Sequence, residues 1–337
     1  MSGDDRSGGD SASHADRDGP DPASDGARSS DRPSVLCVGH VNWDVTLIVD
    51  RLPAPDGEVK IRRRHQAGGG SAANVAAVLA GLDLDASLFG SVGADESGTL
   101  AGRDLSRAGV RTHLVEAEGE TAVKYLIVDA DGEVMVLSNE GANEAFTADA
   151  LPPDALTADT DHVHLTNQPP EVAGALARRA RELGATVSVA PGRQFAQRDF
   201  TEALSLADVV FCNRREAAAL LDVDEDGATR YGALRADATL VVTHGGDGSE
   251  AHDRAADLTH THDGFDADVV DTTGAGDAFA AGFLAARLDG GTLKRALAVA
   301  NACGAVAAGE VGARVEITRD RIETVLNRAA REEPEEP

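Results

Sequence analysis

The sequence predicts an α/β fold: a three-layer α/β/α sandwich with a mainly parallel central sheet, plus a small β-sheet lid. Two observations carry that expectation. Short apolar runs of strand length alternate with stretches of helical period from Ser34 to Ala308, and parallel strands require helical crossovers between them. The alternation lapses at about 45–66 and 112–138, where strand-like runs follow one another with no helix between. A chain of 337 residues is long enough for one large domain with a small appended unit.

The central strands are expected at Ser34–Gly39, Ala86–Gly90, His162–Thr166, Thr186–Ala190, Val209–Asn213 and Leu240–His244, with a further strand-like run at Ala267–Val270. Helices are expected at Ser71–Ala80, Leu100–Ala108, Pro170–Leu183, Arg215–Leu221, Gly274–Leu288 and Leu293–Ala308. In the two exceptional stretches the runs Thr46–Val49, Ala122–Val128 and Val134–Leu137 pair as a separate sheet, with Asp129-Ala-Asp-Gly132 turning a hairpin. A sheet over the C-terminal ends of the parallel strands would serve as a lid. Residues 1–33 hold almost nothing apolar and read as a disordered acidic tail. The folded domain spans 34–330, and 331–337 reads as a second disordered tail.

Asp and Glu number 58 against 31 Lys and Arg, a net charge of −27. Lysine occurs only at Lys60, Lys124 and Lys294. Acidity combined with lysine depletion predicts adaptation to molar salt, where screening makes self-repulsion cheap, and hence a halophilic archaeal source. Such a charge argues against nucleic acid and against anionic membrane as partners. No apolar run reaches the roughly 18–20 residues that span a bilayer, and the polar N-terminus offers no secretory signal, so the cytoplasm is expected. Cys37, Cys212 and Cys303 are far apart in the chain and read as small buried fillers, not as zinc ligands or disulfides.

Chemistry concentrates in Asp271-Thr-Thr-Gly-Ala-Gly-Asp277-Ala-Phe279. Small residues let the backbone approach a ligand closely. The N–H groups of Gly274, Ala275 and Gly276, at a helix start, would favour an anion. An acid beside an anion hole repels a phosphate, unless it takes the proton from a hydroxyl attacking phosphorus. A lone GxGD would mean no more than a Gly-rich turn with an acidic first helical turn.

The full string closely resembles the C-terminal signature of the ribokinase-like (PfkB) carbohydrate kinases, and Gly69-Gly-Ser-Ala-Ala-Asn74 is similar to their N-terminal signature. The resemblance covers about 34–315. It implies Asp277 as general base and ATP with Mg2+ as cosubstrate and cofactor. It implies Asn42 and Asp44 on the sugar hydroxyls, with Gly69, Gly70, Ser71 and Asn74 cradling the sugar. Asn213-Arg-Arg-Glu216 resembles the NxxE motif, so Asn213 would bind phosphate and Glu216 would order magnesium-bound water; read alone, it is a helix cap. Thr243, Gly245 and Gly248 match the nucleotide loop, and Asn301 an adenine-pocket Asn. Asp271 and Thr273 resemble positions around a K+ site in some members. No GxxxxGK[ST] occurs, so this is not a Walker-type kinase.

The match departs at the sugar. Ser71 stands where ribokinase carries Lys, and Asn167 lies in the stretch where ribokinase carries a sugar-binding Glu. Plain ribose is thereby in doubt. Lys124 on a lid strand, and Lys60, Arg62, Arg63 and Arg64 before the Gly loop, would suit a phosphorylated acceptor, or would pair with surface acids. Strand alternation separates Arg63 from Lys60, Arg62 and Arg64. The leading expectation is phosphoryl transfer from ATP to a sugar hydroxyl. A nucleoside kinase and a sugar-phosphate kinase, such as a ribose-phosphate kinase, are alternatives. The former needs a stacking platform, for which Trp43, Tyr125, Phe146 and Phe195 are candidates. A non-catalytic nucleotide-binding regulatory module is the alternative of another class. A dinucleotide dehydrogenase is weaker, since Gly39-His-Val-Asn42 does not supply G-x-G-x-x-G. The lid apolars Leu47, Val49 and Ile127 either cover the substrate or form a homodimer interface.

Overall fold

The computed structural model describes residues 32–332 except 132, 193–194, 224–228 and 231. In chain order the strands are β1 (Ser34–Gly39), β2 (Asn42–Val49), β3 (Ile61–Gly69), β4 (Asp85–Gly93), β5 (Arg111–Ala117), β6 (Ala122–Val128), β7 (Val134–Ser138), β8 (His162–Thr166), β9 (Thr186–Ala190), β10 (Val209–Asn213), β11 (Asp222–Val223), β12 (Thr229–Arg230), β13 (Thr239–Thr243), β14 (Ser249–Asp253) and β15 (Leu258–His262). The helices are α1 (Ser71–Gly81), α2 (Glu96–Arg107), α3 (Pro170–Glu182), α4 (Thr201–Leu206), α5 (Arg214–Leu220), α6 (Ala275–Leu288), α7 (Leu293–Ala308) and α8 (Arg319–Glu332).

The main sheet has the order β15-β14-β13-β10-β9-β8-β1-β4-β5. From β13 to β5 all neighbours are parallel, and β14 and β15 add an antiparallel edge. The chain leaves β1 outward through β4 to β5, then returns to β8 and builds β9, β10 and β13 on the other side. The order therefore reverses between β1 and β8. In open α/β sheets ligands bind at the strand ends where that reversal occurs. Val35 and Cys37 pack on one face with residues of α1, α2, α6 and α7, while Leu36 and Val38 pack on the other with α3 and α4. Both faces of the central strands are buried, as parallel sheets require. α6 and α7 approach closely because Gly282 has no side chain: a Cβ there would meet Cys303 Sγ at 2.6 Å.

The second sheet has the order β3-β2-β6-β7. β2 pairs antiparallel with β3 and parallel with β6, so the two chain excursions expected to form the lid do join. One boundary is corrected. Arg111–Ala117 belongs to the main sheet, parallel to β4, because α2 completes a crossover before it. Ala267–Val270 is not a strand: Val270 N–H and Asp271 N–H both donate to the Ala308 carbonyl, and Val269 and Val270 are 65% and 57% exposed. β14 and β15 escaped sequence reading because Ser249–Asp253 and Leu258–His262, at the antiparallel end of the sheet, are polar strands without an apolar run. α8 continues through Arg331 and Glu332, which were expected in the C-terminal tail; 333–337, like 1–31, lies outside the described residues. Among the described residues no helix is long and apolar enough to cross a membrane.

Candidate active site

β1 and β8 end side by side at the reversal point. They are so close that a Cβ on Gly39 (φ +145°) would fall on the Thr166 carbonyl. Asn42 and Asp44 are not in a turn; they open β2. The register sets Asp44 opposite Lys124 on β6 and Ala67 on β3, with these side chains on one face. Asn42 Oδ1 accepts from Asn143 Nδ2 at 2.8 Å, and Asn143 Oδ1 accepts from Val41 N–H at 3.2 Å. Asp44 is 6% exposed, and neither carboxylate oxygen has a hydrogen-bond partner among the described residues. Burial pushes its pKa up, Lys124 and Arg314 pull it down, and Asp271 adds to the rise. An unsatisfied buried acceptor costs about 1–3 kcal/mol. Two hydroxyl donors of a polyol would remove that cost.

The Gly loop between β3 and α1 closes on this carboxylate. A Cβ on Gly69 would collide with Asp44, and Gly70 has φ +93°. Past the loop, Asn74 Nδ2 donates to Asp277 Oδ2 at 2.8 Å. The Ser71 side chain stands beside Asp277 and pulls its pKa down, and its Oγ accepts from Asn167 Nδ2 at 2.9 Å. Ser71 and Asn167, the two departures from the ribokinase pattern, therefore bond to each other beside the acid. Asn167 holds φ +49°, against Gly192.

Asp277 lies in the first turn of α6, half-buried. Burial pushes its pKa up to about 6, against the pull of Asn74, Ser71, Lys124 and Arg314. Gly274 (φ +78°) packs on the Ala313 carbonyl, and a Cβ on Gly276 would meet nothing within 4 Å, so open space lies before it. One detail differs from expectation. Ala275 N–H closes a turn on the Thr272 carbonyl at 3.2 Å and is already occupied, so an anion would rely on the amides that follow it.

Asn213, Glu216, Thr243 and Gly245 line one groove of about 600 Å³, with Phe195 opposite. Asn213 and Glu216 also form a full capping box: Asn213 Oδ1 accepts from Arg215 and Glu216 N–H at 2.9 and 3.0 Å, and Glu216 Oε2 accepts from Asn213 N–H at 3.0 Å. Gly248 is a turn residue packed on the His262 carbonyl. Asn301 is buried and spends its Nδ2 on Ser249 Oγ (2.7 Å) and the Leu297 carbonyl (2.8 Å), tying α7 to β14. Asp271 accepts from Thr273 N–H and Gly312 N–H, each at 2.9 Å, which fixes the loop before α6. Among the described residues no group of three or more His, Cys, Asp or Glu converges as a metal cage. Mg2+ typically keeps several waters and takes one or two carboxylates plus substrate phosphates, so a groove walled by Glu216 fits it.

Sequence reading missed Arg314 and Gly68. Arg314 is 8% exposed, paired with Asp104, and donates to the Gly69 carbonyl at 3.2 Å. A single Arg in a loop after α7 carries no signature, and only the fold brings it to the Gly loop. The basic run of β3 behaves otherwise. Arg62 pairs with Asp50 on the surface, Arg64 lies opposite Leu47 away from Asp44, and Arg63 shares the Asp44 face only at its far end, opposite Ile48. Of the aromatic candidates, Trp43 and Tyr125 point to the lid face opposite Asp44, Phe146 is buried edge-on to Phe89, and Phe195 lines the groove.

Three comparisons bear on this site. The profile of the pfkB family carbohydrate kinases matches residues 32–319. An ATP-dependent ribose-1-phosphate kinase of Halopiger xanaduensis is 55% identical over 296 residues, covering 87% of this chain and 98% of the relative. A nucleoside kinase of Methanothermobacter thermautotrophicus is 31% identical, covering 79% and 86%. Among solved structures, a putative ribokinase from Agrobacterium tumefaciens superposes with a TM-score of 0.79 at 25% identity, covering 90% of this chain and all of that one (100%). The Methanocaldococcus jannaschii nucleoside kinase does so with 0.73 at 26%, covering 88% and 98%.

Proposed function

Since this chain belongs to the PfkB family of carbohydrate kinases and transfers a phosphoryl group from ATP to a sugar, we propose that its acceptor is a sugar phosphate, ribose 1-phosphate, phosphorylated on its hydroxymethyl group. The observation that carries the acceptor is Lys124. It is one of three lysines in a chain of net charge −27, and it stands opposite Asp44 in the β2–β6 register. An ammonium there can pair with an acceptor's phosphate while Asp44 accepts from the ring hydroxyls. The 55% identical relative is named for this substrate.

In the proposed reaction Asp277 takes the proton of the attacking hydroxyl. That oxygen bonds to the γ-phosphorus as the bond to the β-phosphate oxygen breaks, giving ADP and ribose bisphosphate. Asn74 and Ser71 aim the carboxylate, and a pKa of about 6 suits a base that is ionised yet accepts a proton near neutrality. The amides after Ala275 receive charge on the transferred group. Asn213, Thr243 and Gly245 hold the nucleotide, and Gly248 and Asn301 shape the loop and helix behind it. Mg2+, held through Glu216 and the phosphates, would neutralise charge on the β- and γ-oxygens.

The test is ADP release over ribose 1-phosphate, ribose and nucleosides, each in KCl and in equimolar NaCl. Ribose 1-phosphate should dominate, Asp277→Asn should lose at least roughly 10³-fold in kcat while still binding ATP, and Lys124→Met should raise KM for ribose 1-phosphate but hardly that for ribose. A preference for nucleosides would overturn the acceptor; Trp43 and Tyr125 on the lid face opposite Asp44, and Phe146 buried against Phe89, speak against it. An active Asp277→Asn would overturn the base. No turnover with any acceptor would favour a regulatory nucleotide-binding module. Faster turnover in KCl would support K+ at the loop of Asp271 and Thr273; equal rates would remove it. The exposed lid residues Tyr125 and Leu137, at 43% and 53%, support a lid-to-lid homodimer, which sedimentation would test. Work in a salt-rich cytoplasm fits the charge.

A further inference from the structure

The loop Gly312-Ala313-Arg314 touches both signature motifs with three consecutive residues. Gly312 N–H donates to Asp271 Oδ2 at 2.9 Å, before the signature turn. The Ala313 carbonyl packs on Gly274, where α6 begins. The Arg314 side chain crosses to the acceptor half, where it pairs with Asp104 of α2 and donates to the Gly69 carbonyl at 3.2 Å. Gly68 is glycine because a Cβ there would fall on the guanidinium, and Gly69 because a Cβ there would fall on Asp44.

We propose that Arg314 is a positioning residue for the acceptor, one that fixes the Gly68–Gly69 turn against Asp44 and holds that turn in register with the base on α6. The reading rests on Asp44 and Asp277 forming the acceptor site.

A purely structural ion pair would explain less. The Asp104 pair lies at the rim, with Asp104 32% exposed, whereas the guanidinium is buried and its Nε has no partner among the described residues. Burying a cation with an unused donor is costly, and a hydrophobic side chain would fill the same space more cheaply. The charge has work to do on neighbours. Arg314 and Lys124 are the positive groups acting on both Asp44 and Asp277, Asp271 is the negative one acting on Asp44, and Ser71 and Asn74 complete the polar surroundings of Asp277. Arginine also fits where lysine would not, since its planar fork serves Asp104 and the Gly69 carbonyl at once.

The test compares Arg314→Met, Arg314→Lys and Asp104→Asn in the full chain, with ribose 1-phosphate varied against ATP. Arg314→Met should raise the acceptor KM about 10- to 100-fold, leave the ATP KM within about twofold, and move the acid limb of kcat/KM to higher pH. Arg314→Lys should keep the limb near its wild-type pH, because the charge remains, yet still raise the acceptor KM. Asp104→Asn should raise it less. Parallel changes in both KM values with an unmoved acid limb would reduce Arg314 to a scaffold residue and overturn the inference. So would an unchanged acceptor KM in Arg314→Lys. Should Arg314→Met fail to fold, the Lys and Asp104 variants decide alone. An active Asp277→Asn would instead strike the assignment of the site, so the two failures are distinguishable.

Discussion

Asp277 has opposite consequences for activity and for stability. As the proposed base it must be ionised, so kcat/KM should rise with pH through about 6 and level off above it. Its folded pKa lies above the ordinary 3.8, so the folded state holds that proton more tightly than the unfolded state does. The cost is absent below pH 3.8, grows as pH rises, and is complete above about 6. That displacement is worth roughly 3 kcal/mol. Asp277→Asn should therefore melt higher than the wild type at pH 8 while losing turnover, and should show little gain near pH 4. Calorimetry at both pH values checks it; an equal change at both would mean that the gain is not electrostatic. The acid itself was legible in the sequence because nine consecutive residues matched a signature. Arg314 behind the Gly loop was not, since its contact joins positions 245 residues apart (Gly69 to Arg314).

At the scale of elements, β8 and β9 carry a buried polar chain with no counterpart in the chemistry. His162 Nδ1 lies 2.7 Å from Thr186 Oγ1, and Ser188 Oγ lies 2.7 Å from both His162 Nε2 and His164 Nδ1. Thr186 donates its hydroxyl to the Asp161 carbonyl at 3.1 Å, so it must accept from His162 Nδ1–H. His162 Nε2 then accepts from Ser188, and Ser188 accepts from His164 Nδ1–H. Both rings are neutral. Burial holds their pKa at about 3 against the ordinary 6.5. As pH falls below 6.5 the unfolded chain takes up protons that the folded chain refuses, so stability drops until about 3. Each ring could contribute up to about 5 kcal/mol of this loss, comparable with the whole stability of a domain. The relief at Asp277 has the opposite sign but is smaller. Unfolding should set in well above pH 3, and His164→Gln should move the midpoint to lower pH, measured by circular dichroism; a midpoint that stays put would exclude the histidines as its cause. In α5 the capping box and the proposed nucleotide groove share Asn213. Asn213→Ala should cost about 1 kcal/mol of stability and also raise the ATP KM, whereas a cap alone would leave that KM unchanged.

For the whole molecule, a net charge of −27 repels itself most strongly in dilute salt. Raising KCl to roughly 1 M shortens the Debye length to about 3 Å, so the melting temperature should climb steeply between 0.1 and 1 M and then flatten. A melting temperature independent of KCl would mean that ion pairs such as Arg181–Asp208 and Arg235–Asp208 already balance the charge locally.

The sequence alone determined the alternation of strands and helices, the existence of the lid and the signature that contains Asp277, because each is written in local periodicity or in a contiguous motif. It also marked Ser71 and Asn167 as departures. Tertiary structure alone decided what those departures do, since their hydrogen bond to each other beside Asp277 spans 96 residues of chain. It decided as well that Arg111–Ala117 is an edge strand of the main sheet, that Lys124 faces Asp44 while Arg62 turns to Asp50, and that Arg314 stands behind the Gly loop. The physical reason is common to all four. Periodicity says which face of an element is buried, but not which other element buries it, and charge placement follows from that second choice.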